Sequence, residues 1–146
     1  NDLYRRMNMS TLINEKELLK IADEARKSAY APYSGKTVGA ALLTADGKIY
    51  KGANIENAAF SPTICAERVA IFKAVYDGAR DFVAIAVAGG DEGKPATADF
   101  SPCGVCRQVM AEFCKKDFRV IWGNDDRITI KTLAEVLPFG FDKESL

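Results

Sequence analysis

Apolar residues recur at helical spacing over NEKELLKIADEARKSAY, where Leu18, Ile21, Ala22, Ala25 and Ala29 predict a helix over 14–30. Asn14 is its expected cap, with Glu17 three residues on in a capping-box-like pair. APYSG then breaks the pattern with Pro32 and Gly35. TVGAALLTADGKIYKGANIE is two apolar runs around Asp46-Gly47, the mark of a hairpin. CAERVAIFKAVYDG, residues 65–78, predicts a second helix, apolar nearly all round and therefore expected to be buried, with Gly78 as its stop. FVAIAVAGG is a continuous apolar run, as in a strand covered on both faces. After the polar loop 91–100, PCGVCRQVMAEFCKK predicts a third helix over 102–116, with Pro102 near its start. FRVIWGNDDRITI reads as a second hairpin turning at 124–126, KTLAEVLP as a short last helix, and FGFDKESL as a tail.

Helices that alternate with about five strands predict an α/β fold, a three-layer α/β/α sandwich around a mixed sheet. The 146 residues fit one domain, expected over 7–146, with residues 1–6 as a remnant ahead of Met7 and Met9. No repeat or linker divides the chain. Twenty Lys and Arg balance twenty Asp and Glu. A protein that grips a nucleic acid polymer carries a basic excess, so a small or neutral partner is expected. No apolar run reaches the ~20 residues of a membrane span, and no signal-peptide pattern opens the chain, so a cytoplasmic protein is expected.

The chain holds four cysteines, at 65, 103, 106 and 114, and no histidine. The absence of imidazole excludes Ser-His-Asp and Cys-His nucleophilic sites and every His-containing zinc site. Without a secretory pattern, a disulfide framework is not expected. Cys103 and Cys106 share one face at a helix start, where the dipole favours thiolate. Cys65 sits in the same kind of place on another helix. Three thiolates converging from two helix starts suit zinc. Cys114 lies eight residues beyond Cys106, about 12 Å along a continuous helix and ~80° around it, too far to share the ion. An open fourth position marks a catalytic rather than a structural zinc. Glu67 can then take a proton from the water there. Three thiolates overbalance the ion's charge, so a cation beside them is expected, and Arg68 and Arg107 adjoin the ligands in sequence.

Taken together, AYAPYSG, VGAALLTADGKIYKGANIENAAFSP, ICAERVAIFKAV and SPCGVCRQVMAEF resemble the zinc-dependent cytidine deaminases that act on free nucleosides, over roughly 18–137. The resemblance implies hydrolytic deamination of cytidine and 2′-deoxycytidine by zinc-bound hydroxide, with one zinc per chain and Glu67 as proton shuttle. It implies Cys65, Cys103 and Cys106 as ligands, all-cysteine ligation being the pattern of the small homotetrameric branch. It assigns Asn54 and Glu56 to the ribose hydroxyls, the backbone of Ala66 and the carbonyl of Ser101 to the pyrimidine edge, and Phe141 to a neighbouring subunit's site. Arg68 is the expected tuner of charge at the zinc.

Two positions depart from the family pattern. Lys36 stands where an aromatic ring is usual, and Phe60 where many relatives have tyrosine. Both bear on fine substrate preference. Alternatives are the same chemistry on a modified cytosine nucleoside, a non-catalytic structural zinc module that needs Cys114, and a dithiol redox protein that leaves Cys65 and Glu67 without a role.

Overall fold

The computed structural model of the chain describes residues 13–146. The expected domain start at residue 7 and the remnant at 1–6 lie outside them. In chain order the elements are α1 (Glu15–Ala25), β1 (Lys36–Thr44), β2 (Ile49–Ala53), α2 (Ala66–Tyr76), β3 (Phe82–Asp91), α3 (Gly104–Phe113), β4 (Arg119–Gly123), β5 (Ile128–Thr132) and α4 (Leu133–Val136). Short 3-10 turns cover Arg26–Ser28 and Lys143–Ser145.

The five strands form one sheet in the order β2-β1-β3-β4-β5. β1 is antiparallel to both β2 and β3, β3 is parallel to β4, and β5 returns antiparallel. β2, β3 and β4 therefore run in one direction. α2 connects the first two of them and α3 the last two, so both helices start at the same end of the sheet.

Alternation along each strand divides the core into two layers. Ala41, Leu43, Ala84, Ala86, Ala88 and Ile121 face α1, whose Leu18, Leu19 and Ala22 close that layer. Val38, Ala40, Leu42, Ile85, Val87 and Val120 face α2, α3 and α4. The sandwich expected from the alternation of elements is thus present. Alanine predominates on the α1 side of β3, which lets that helix approach closely. Gly39 on β1 completes the approach: a Cβ there would lie 1.9 Å from the Ala22 carbonyl oxygen.

Two boundaries and one burial pattern differ from the sequence reading. α1 stops at Ala25 rather than continuing to 30, because Arg26 turns inward. Its Nε donates to the carbonyl and hydroxyl oxygens of Thr37, Nη1 to Asp23, and Nη2 to the carbonyls of Asp91 and Lys94. α3 ends at Phe113, so Cys114 is extended (φ −120°, ψ 151°) rather than helical. α2 is not buried all round. Its alanines and Ile71 face the core, whereas Phe72 and Tyr76 are exposed. At the other end of the chain Asn14 caps α1 as expected, its Oδ1 accepting from the Glu17 amide at 2.9 Å.

Candidate active site

Cys65 and Cys103 are the N-cap residues of α2 and α3, both extended and neither using its side chain to cap. Their helices begin at the same end of the sheet, so the two sulfurs meet. Cys106, one turn into α3, supplies the third. Cys65 Sγ lies 3.8 Å from Cys103 Sγ, which lies 3.5 Å from Cys106 Sγ, and all three fall within 4.8 Å of one another. Tetrahedral zinc with Zn–S bonds of about 2.3 Å holds its sulfurs about 3.8 Å apart, so the donor set fits zinc in chemistry and spacing. Cys114 is not in the cluster, as the sequence reading expects.

Gly52 on β2 sets the position of the α2 start. A Cβ there would lie 2.3 Å from the Ala66 carbonyl oxygen and 2.6 Å from the Ala70 amide. The first turn of α2 therefore rests directly on backbone, with Cys65, Ala66 and Glu67 along it.

Glu67 is only 3% exposed, and burial pushes its carboxyl up to about 7. A carboxyl poised there can both accept and donate a proton near neutral pH. Hydrogen bonding from Cys106 holds the Cys65 thiol well below its ordinary value, against burial and with help from Arg68. Cys106 is pushed up in turn by Cys65 and by burial. Arg68 Nη2 lies 3.5 Å from Cys65 Sγ. Burial works against the Arg68 charge, but the bonds to Cys65 and Cys106 outweigh it and raise the guanidinium above its ordinary value. Its buried Nε finds no partner among the described residues. Of the two arginines beside the ligands, only Arg68 reaches sulfur. Arg107 instead donates from Nε to the Pro102 carbonyl and from Nη1 to the Val136 carbonyl, both at 2.8 Å.

A small accessory ribbon flanks the sulfurs. Ile55 bridges Tyr30 in parallel and Ile64 antiparallel. That antiparallel register sets Asn54 alongside Cys65. Asn54 is buried, and its amide continues the sheet: Oδ1 accepts from the Val38 amide and Nδ2 donates to the Lys36 carbonyl, both at 2.8 Å. Glu56 is half-buried and turned back on the 33–34 turn, where the hydroxyl and amide of Ser34 and the amide of Tyr33 hold its carboxyl below the ordinary range. The sequence reading places both residues at the end of a strand. The structure puts them one and three residues past β2, each already bonded to backbone.

Ala66 is fully buried at the first position of α2, and Ser101 is half-buried two residues before Cys103. Phe141 lies in the tail with its ring mostly exposed and its carbonyl accepting from Gln108 Nε2 at 2.7 Å. Lys36 pairs with Asp91 at the surface, and Phe60 is exposed. The roles of Ser34, Tyr33 and Arg107 escape the sequence reading. The only trace of the first two is APYSG, which reads as a helix break and does not reveal where its amides point.

The match to known proteins is extensive. Residues 12–122 match the family model described as the cytidine and deoxycytidylate deaminase zinc-binding region. The chain is 51% identical to a cytidine deaminase of Sporosarcina psychrophila over 131 residues, 89% of this chain and 93% of that protein. It is also 51% identical to one from Halalkalibacterium halodurans, over 88% of this chain and 95% of that protein. The crystal structure of cytidine deaminase from Burkholderia pseudomallei superposes with a TM-score of 0.80 at 42% identity, over 88% of this chain and all of that one. The five-stranded mixed sheet, the three sulfurs at two helix starts and these matches together establish that the chain belongs to the cytidine and deoxycytidylate deaminase family.

Proposed function

We propose that the protein catalyses hydrolytic deamination of cytidine and 2′-deoxycytidine to uridine and 2′-deoxyuridine, with release of ammonia. The observation that carries this reading is the buried Glu67, two residues along α2 from Cys65, one of three sulfurs at tetrahedral spacing. Cys65, Cys103 and Cys106 would hold a zinc ion, which when bound would supply Lewis acidity and make water a nucleophile near neutral pH. Glu67 takes a proton from the attacking water and gives it to N3 of the pyrimidine; it then takes the second proton, from the hydroxyl now on C4, and gives it to the amine, which leaves as ammonia. Burial, which favours the neutral carboxyl, suits Glu67 to carrying a proton between these atoms. Arg68 offsets negative charge on the sulfurs through Cys65. The Ala66 backbone and the Ser101 carbonyl orient the pyrimidine edge, and Asn54 and Glu56 hold the sugar. A site whose remaining hydrogen-bonding positions are met by sugar hydroxyls favours a nucleoside over the free base, which leaves those positions unfilled.

The working assembly in this reading is a homotetramer in the cytoplasm, with Phe141 reaching a neighbouring subunit's site, and the substrate is a free nucleoside rather than a polymer. Zero net charge supports the last point. No helix among the described residues is long and apolar enough to cross a membrane.

The test is turnover of cytidine with detection of both uridine and ammonia, alongside Glu67→Gln. The variant is expected to keep its zinc and lose roughly 10²- to 10⁴-fold in kcat. Zinc without turnover in the parent protein would leave a structural module, and absence of zinc would leave a dithiol protein.

A further inference from the structure

The Glu56 carboxylate is held by more of the chain than an ordinary surface acid. Oε1 accepts from the amides of Tyr33 at 3.0 Å and Ser34 at 3.1 Å, and Oε2 accepts from the Ser34 hydroxyl. Ser34 Oγ in turn accepts from the Lys36 amide at 3.0 Å. That bond fixes the polarity of the hydroxyl: its lone pair faces Lys36, so its proton faces Glu56. Gly35, at φ +67°, gives the turn its left-handed step between the two.

An ionised carboxylate offers about four acceptor positions. Three are occupied by these bonds, and the remaining one is on Oε2. Without the Ser34 hydroxyl the group would be anchored through Oε1 alone, with both positions of Oε2 open and the outer oxygen free to shift. Asn54 is held independently of Ser34, its amide bonded to Lys36 and Val38 on β1.

We propose that Ser34 is a positioning residue for Glu56, aiming one acceptor of its carboxylate at one sugar hydroxyl and so setting which hydroxyl of the nucleoside the protein requires. The inference rests on the reading of Glu56 as the sugar-binding carboxylate. Ser34 does not touch the reacting atoms, so its effect belongs in substrate binding rather than in the chemical step.

The experiment compares kcat/KM for cytidine, 2′-deoxycytidine and 3′-deoxycytidine in the parent protein, Ser34→Ala, Ser34→Thr, Glu56→Ala and the Ser34→Ala/Glu56→Ala double variant. The parent is expected to disfavour one deoxy analogue. Ser34→Ala should shrink that preference by about 5- to 10-fold, mainly through KM for cytidine, the net effect of one ordinary hydrogen bond. Ser34→Thr, which keeps the hydroxyl, should restore it, and Ser34→Ala should add nothing in the Glu56→Ala background. The ratio between substrates does not depend on the fraction of folded protein, so a loss of rate common to all three substrates counts against the proposal. Parent-like discrimination in Ser34→Ala, with discrimination lost in Glu56→Ala, overturns the role of Ser34 alone. Discrimination that survives Glu56→Ala overturns the reading of Glu56 and the proposal with it.

Discussion

Cys114 stands outside the cluster of three sulfurs, in surroundings that keep its proton in place. It is half-buried against the α2–α3 side of the core, and burial pushes its value up to about 12. Cys65, at a helix start beside Arg68, is shifted the opposite way. Cys114→Ala is therefore expected to keep one zinc per chain and activity within about twofold of the parent, as for a substitution away from the site. In the folded protein near pH 8, Cys114 should resist iodoacetamide and label only on unfolding, as mass spectrometry can read. Its folded value lies above the ordinary 9.0, so unfolding is favoured as pH climbs past 9. At this scale the three-sulfur cluster and the place of Glu67 beside Cys65 were legible, because they are written in residue type and spacing. The partners of Glu56 were not, because a backbone amide has no letter of its own.

Elements decide whether those residues meet. Two helices begin at one end of the sheet because β2, β3 and β4 run the same way, and Gly52 lets the first of them lie against β2. Gly52→Ala would drive a methyl into the Ala66 carbonyl and the Ala70 amide, both backbone atoms with little room to give. The expected result is a loss of about 1–3 kcal/mol in stability from overpacking. A drop in bound zinc should accompany it, measured by denaturant melts and metal analysis on the same sample. Periodicity and turn residues made all five strands and the principal helices legible, including the Asp46-Gly47 turn, where Gly47 has φ +89°. Helix ends were less legible. Arg26 lies inside the stretch whose spacing predicts helix to 30, and its burial depends on carbonyls of Asp91 and Lys94 some 65 and 68 residues away. The ribbon through Tyr30, Ile55 and Ile64 was missed for a similar reason, since isolated bridges leave no period in a sequence.

The whole molecule exposes more aromatic surface than its core needs. Tyr76 is 94% exposed on α2, and Tyr30, Tyr33, Phe60, Phe139 and Phe141 are also exposed. Rings of this size in contact with water favour association. The homotetramer reading therefore predicts four chains per particle in sedimentation equilibrium, and a single chain at micromolar concentration would overturn it. Tyr76→Glu should loosen the particle while leaving the fold of each chain intact, provided that ring is buried between subunits. Contacts between chains leave little trace in a sequence, because an exposed ring and a buried one share the same letter. One contact joins the far end of the chain to the sulfurs. Arg107, next to Cys106, holds the carbonyl of Val136 and also that of Pro102, next to Cys103. Loss of the guanidinium would thus slacken the anchor of two metal-binding cysteines, so Arg107→Ala should lower the zinc bound per chain without removing a single ligand.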